Sequence, residues 1–146
     1  MTSEPLSTGP DEETITGKIR ELWPETDVVT VPGGSFFSLD AEKHWPNFAT
    51  IVSTDDFDQA SNLSRPGVFR LNIGVGRATF ERLVGSIVEP DYTVLDRLLP
   101  HPVYARQRWI SILNPSDTTF RDVVLQLLIE AHDRLAARRE KPAADD

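Results

Sequence analysis

Between Arg65 and Gly85 the hydrophobic period of this sequence switches from two to about 3.6, which commits the chain to a strand followed at once by a helix. In the expected strand, Val68 to Ile73, the side chains of Phe69, Leu71 and Ile73 share one face and those of Arg70 and Asn72 share the other. Pro66-Gly67 opens it as a turn. Gly74-Val-Gly76 closes it, Phe80, Leu83 and Val84 then recur at helical spacing, and Gly85 stands where a helix stops. A strand apolar on one side belongs in a sheet with one covered face. The other face is expected to stay open, with Arg70 and Asn72 on it.

The flanking sequence supplies the rest of that sheet and its cover. From Asp11, acidic residues followed by Ile15, Ile19, Leu22 and Trp23 predict a first helix that ends at Pro24. Asp27–Val31 and Ser35–Leu39 flank Pro32-Gly-Gly34 as a hairpin. A polar turn over Asp40–Lys43 and a loop at His44-Trp-Pro-Asn47 then lead into a third strand, Phe48–Ser53. Residues Thr54 to Ser64 are acidic and read as a loop or short helical turn, their aspartates solvated. Pro90 to Gln107 is the least regular stretch, although Val94, Leu95, Leu98 and Leu99 would suit one or two buried helical turns. Trp109–Leu113 is a further strand, and Thr119 with Asp122 resembles a capping box for the last helix. That helix carries the strongest apolar stripe of the chain, Phe120, Val123, Val124, Leu127, Leu128, Ala131 and Leu135. The element order predicts an α+β fold: an antiparallel sheet of about five strands with N-terminal, central and C-terminal helices packed on one face. Residues 1–10 read as a disordered leader, 11–138 as a single domain and 139–146 as a flexible charged tail.

Charge and cysteine usage narrow the function classes. The net charge is −8, yet residues 63–110 hold seven Lys and Arg against four Asp and Glu. An acidic chain repels phosphate backbones at long range, so nucleic acid is a disfavoured partner unless that central segment forms one face. A small anionic ligand or a protein partner fits better, and oligomeric state is not legible. With no cysteine, disulfides, thiol nucleophiles and cysteine-ligated zinc are excluded, and a cytoplasmic location is the easiest fit. No apolar run of about 18 residues offers a membrane span.

Three segments, Arg65-Pro-Gly-Val-Phe-Arg-Leu-Asn-Ile-Gly-Val-Gly-Arg77, Leu99-Pro-His-Pro-Val-Tyr-Ala105 and His44-Trp-Pro-Asn-Phe48, resemble the motifs of a family of uncharacterised small proteins, a domain of unknown function, over residues 12 to 138. The resemblance implies no activity. More distantly, Phe36-Phe-Ser-Leu39, the Val68–Ile73 strand and Arg106-Gln-Arg-Trp109 make the layout similar to MmcQ/YjbR-like proteins. That likeness implies an antiparallel sheet backed by helices and brings with it a suggestion of DNA binding that rests on shape. This chain departs from the group by its Ser86–Pro102 insertion and its acidity.

The candidate ligand-binding residues follow from these placements. Arg70 and Asn72 would meet a ligand on the open face, an arginine fork suiting a planar anion. Gly74-Val-Gly-Arg-Ala-Thr79 imitates a dinucleotide fingerprint but has Thr79 at the third glycine position, so no cofactor is assigned. The amides at that helix start, with Arg77, would still suit a phosphate or carboxylate. His44 and Trp45, and His101 with Tyr104 and Arg106, sit in expected loops beside strands. His44, His101 and His132 lack metal-ligand spacing, and no metal is assigned. No catalytic signature is present, so the expectation is a non-enzymatic binding domain. The alternatives are a nucleic-acid-binding domain and an enzyme with His44 or His101 as general base.

Overall fold

The computed structural model describes residues 9–140, the side chains of residues 43–45 and 140 excepted. The expected leader up to residue 8 and the tail from residue 141 lie outside the described residues.

Asp11 caps the first helix, α1 (Glu12–Leu22), its carboxylate accepting the Thr14 amide at 2.8 Å. Two strands follow, β1 (Asp27–Val31) and β2 (Gly34–Asp40), paired antiparallel from Val31 opposite Gly34 to Asp27 opposite Ser38. Gly33 in the loop between them has φ of 77°, and a Cβ there would also collide with Thr54. The third strand, β3 (Lys43–Val52), starts five residues earlier than the sequence suggested, so the backbone of His44-Trp-Pro-Asn47 is strand and not loop. The register between β2 and β3 is irregular between Phe37 and Asp40, and such an irregularity admits a proline that cannot donate to the ladder. Phe37 stands opposite Ala49 and Ser38 opposite Asn47, which makes Phe48 the extra residue; Phe48 and Ala49 both enter the core.

The central strand, β4 (Arg70–Gly74), leads through Val75-Gly76 into α2 (Arg77–Val84). The irregular segment then yields the two-residue strand β5 (Leu99–Pro100) in place of the expected helical turns, with Pro100 at a sheet edge where its missing N–H is harmless. β6 (Trp109–Leu113) completes an open antiparallel sheet of six strands in the order β1-β2-β3-β4-β6-β5, one more than expected. The last helix starts as α3 (Asp117–Thr119), passes through a π-helical turn (Phe120–Val124) and continues as α4 (Leu125–Glu140). Its cap is Ser116, whose hydroxyl accepts the Thr119 amide at 3.1 Å, and not the Thr119–Asp122 pair. Arg139, placed in the tail by sequence, is helical and reaches Asp40 at 2.9 Å and Glu42 at 3.3 Å. No helix among the described residues is long and apolar enough to cross a membrane.

The three long helices cover one face of the sheet, as the stripes require. Ile15 and Ile19 of α1, Phe80 and Val84 of α2, and Val124 and Leu128 of the last helix meet Phe37, Ile51, Leu71, Ile73, Ile110 and Ile112 there. Over β4 the second face is closed too, which overturns the expectation that Arg70 and Asn72 stand on an open one. Loop residues Leu63, Val68 and Leu95 join Val52 and Leu113 in a smaller apolar cluster on that side. Under these loops Arg70 is only 1% exposed and Asn72 2%.

Candidate functional site: a buried arginine and the turn beside it

The register fixes which side chains surround Arg70. Asn72 stands opposite Thr50 of β3 and Ser111 of β6, and Arg70 opposite Val52 and Leu113. Asn72 Oδ1 accepts from Arg70 Nε at 3.0 Å and from Ser111 Oγ at 2.7 Å, while Asn72 Nδ2 donates to Thr50 Oγ1 at 3.0 Å. Asp58, brought over the sheet by the Thr54–Ser64 loop, takes the guanidinium as a fork. Its Oδ1 accepts from Nη1 at 3.0 Å and its Oδ2 from Nη2 at 2.6 Å, and Ser61 Oγ accepts from Nη1 at 3.0 Å. Most of the donors of Arg70 are therefore filled from within the chain. The hydrogen bonds from Arg70, and then its charge, hold the Asp58 carboxyl below its ordinary range against the opposing effect of burial. Arg70 is thus a structural cation in this state, not an open anion receptor.

His101 lies beside this network. Its main chain extends β5, donating to Trp109 O at 2.9 Å. Its ring is buried, and Nδ1 accepts the amides of Val103 at 2.9 Å and Tyr104 at 3.0 Å. Burial, with the nearby Arg70 charge adding to it and Asp58 opposing it, lowers the His101 pKa to about 4. The ring is neutral at pH 7, and since Nδ1 is an acceptor the proton sits on Nε2. A ring with one lone pair taken by two amides and a proton on its other nitrogen is a donor. The general-base role expected for His101 finds no support in this arrangement.

Those two amide bonds pin the chain between β5 and β6. Past His101, the amides of Gln107 and Trp109 both return to Tyr104 O, and Arg108 takes a left-handed φ of 67° before β6 begins. Gly74, opposite Trp109 in the β4–β6 pairing, has no side chain to hold off the indole, and a Cβ there would stand 3.0 Å from it. The pinned turn displays Val103 and Tyr104, 54% and 53% exposed, with Arg106 exposed beside them. The Tyr104 ring leans on the His101 imidazole, centroids 5.0 Å apart.

With the geometry in place, comparison with known proteins adds a membership. A family of unknown function, DUF6194, matches residues 10–144. The chain belongs to the DUF6194 family. No curated protein matches it, and no solved structure does.

Of the residues that the sequence singles out in this DUF6194 chain, the fold gathers Arg70, Asn72, His101 and Tyr104, and strings Arg106 along the same turn. The side chains of His44 and Trp45 lie outside the described residues. Arg77 is elsewhere, exposed at the start of α2. The helix start beside it does hold a carboxylate, but an internal one: Glu130 of α4 accepts from the Gly76 amide and from Thr79 Oγ1, each at 2.7 Å. Replacing Glu130 by Ala leaves the buried Gly76 amide without its acceptor. It should cost about 1–3 kcal/mol in urea unfolding, and Thr79→Val, which spares the amide bond, should cost less than Glu130→Ala.

Sequence reading missed Asp58, Ser61, Thr50, Ser111 and Glu130. Polar residues alternating along β3, β4 and β6 at positions 50, 70, 72 and 111 were the available signal, because a sheet aligns such positions on one face. Glu130 gives no signal, since acids are ordinary beside a helical stripe.

Proposed function

We propose that this DUF6194 chain is a cytoplasmic, non-enzymatic binding domain that offers the turn between β5 and β6 to a protein partner. The observation that carries this reading is the exposure of Val103 and Tyr104 on a backbone pinned by His101 Nδ1. A fixed turn loses little conformational entropy on docking, and tyrosine and arginine are the side chains that most often dominate protein interfaces. Tyr104 supplies a flat apolar surface with a polar tip, and Arg106 suits a carboxylate on the other side. The small-anion reading is weaker because the Arg70 fork is already engaged with Asp58. The nucleic-acid reading loses the same cation from its basic set. Kinship with MmcQ/YjbR-like proteins is part of the proposal only as a likeness of layout.

The test is site-specific photocrosslinking in the native cell, with a benzophenone side chain in place of Tyr104 and, as control, of the exposed Gln126 on α4. One dominant protein adduct at position 104 and none at 126 is the expected result. Adducts of equal yield at both positions, or none at 104, would remove the reading.

A further inference from the structure

Among the described residues β1 begins the sheet, and its hydrogen-bonded neighbour is β2 alone. Because a two-residue loop closes the hairpin, Val31 and Gly34 form the hydrogen-bonded pair across the turn. Antiparallel pairing alternates, so Val29 and Asp27 also turn their main-chain groups towards β2. The N–H and C=O groups of Val28 and Thr30 are left pointing away from the sheet. Natural edges are commonly blunted by lysine, proline or a bulge, yet β1 holds no lysine, pairs regularly along its length, and meets its proline only at residue 32. On the side of the sheet that carries Phe36 the edge is apolar as well. Val29 and Val31 are 36% and 39% exposed there, near Phe57, which sits edge-on to Phe36.

We infer that the outer edge of β1 pairs antiparallel with β1 of a second copy of this chain, about a twofold axis at Val29. The flanking residues make the strand self-complementary in that register. With the axis at Val29, Val28 faces Thr30 of the other copy in both directions, and every outward main-chain group of the two strands finds its counterpart. An axis at Thr30 would set Val28 against Pro32, which has no N–H. An axis at Val28 would set Thr30 against Thr26, whose amide already donates to Trp23 O at 3.0 Å. In the favoured register Asp27 faces Val31, so no like charges oppose, and Val29 meets its own copy. Each chain carries a net charge of −8, so the pairing tightens as ionic strength rises.

The experiment is light scattering or sedimentation on the full chain from micromolar to millimolar concentration, at low and high salt. The wild-type mass should climb from 16.4 kDa towards twice that value, at lower concentration in high salt, and the Val28 and Thr30 amides should exchange more slowly in the dimer. Thr30→Pro removes an outward N–H without touching the β2 ladder, and Val29→Lys puts charges together at the axis. Both variants should keep the wild-type thermal midpoint at micromolar concentration and stay at 16.4 kDa throughout. A wild type that remains monomeric at millimolar concentration, or variants that dimerise as it does, would overturn the inference. So would a dimer whose Val28 and Thr30 amides are unprotected. None of these outcomes bears on the Tyr104 crosslink, which reads a different surface.

Discussion

Asp58→Ala is expected to lower the unfolding free energy by about 3–5 kcal/mol, because it strands a guanidinium that is almost wholly enclosed. Arg70 is 1% exposed, and Asp58 supplies both of its carboxylate contacts, at 2.6 and 3.0 Å. Removing one partner of a buried pair leaves a desolvated charge, which weighs far more than the net value of the pair. Replacing both, as Asp58→Leu with Arg70→Met, should therefore be milder than Asp58→Ala alone in the same denaturation assay. Acidity provides a second readout. The folded-state pKa of Asp58 lies below its ordinary value of 3.8, so its contribution is complete above that value and is lost as pH falls through the folded pKa. Asp58→Asn should lack that acid-dependent loss. A fully stable Asp58→Ala protein would mean that the loop does not seal Arg70.

The second large effect belongs to His101 and takes the form of a pH dependence. Its pKa falls from 6.5 to about 4 on folding, so between those values the unfolded chain binds the proton and the folded chain does not. Stability must then rise with pH across that window and fall as acid is added, by roughly 3 kcal/mol in all. The sign is opposite to that of a histidine that gains a carboxylate partner on folding. His101→Asn keeps an acceptor near the Val103 and Tyr104 amides and removes the titration. Its stability measured by urea unfolding from pH 7 to pH 4 should lose this slope, and retention of the wild-type slope would assign the effect to another group.

The two predictions show where sequence reading reached and where it stopped. Alternation along β4 separated Leu71 and Ile73 from Arg70 and Asn72 correctly, because strand geometry alone decides it. What alternation does not encode is the company on each face. Over β4 the second face is covered by loops whose apolar contribution is single residues such as Leu63 and Leu95, which have no period to detect. Asp58 looks like one more solvated acid among Asp55 and Asp56 until the fold sets it over Arg70. The last helix was legible from its stripe, whereas its cap was misplaced by three residues because Ser116 and Thr119 have the same chemistry. β5 was hidden because a two-residue strand carries no pattern at all. Of the exposed turn, the sequence offered the residue types, and only the paired amides on His101 reveal that it is held.

The strand order has a consequence for the time course of folding. β1, β2 and β3 are joined by tight turns and can pair as soon as they are made, whereas the seam between β4 and β6 unites distant parts of the chain. At its end Asn114 takes the place of a further rung, its side chain accepting the amide of Phe69, a residue 45 positions earlier. Closing a loop of that length instead of a two-residue turn demands roughly 2–3 kcal/mol more in chain entropy, at about 0.6 kcal/mol per doubling. The entropic barrier is therefore concentrated at the β4–β6 seam, which closes after the local hairpins.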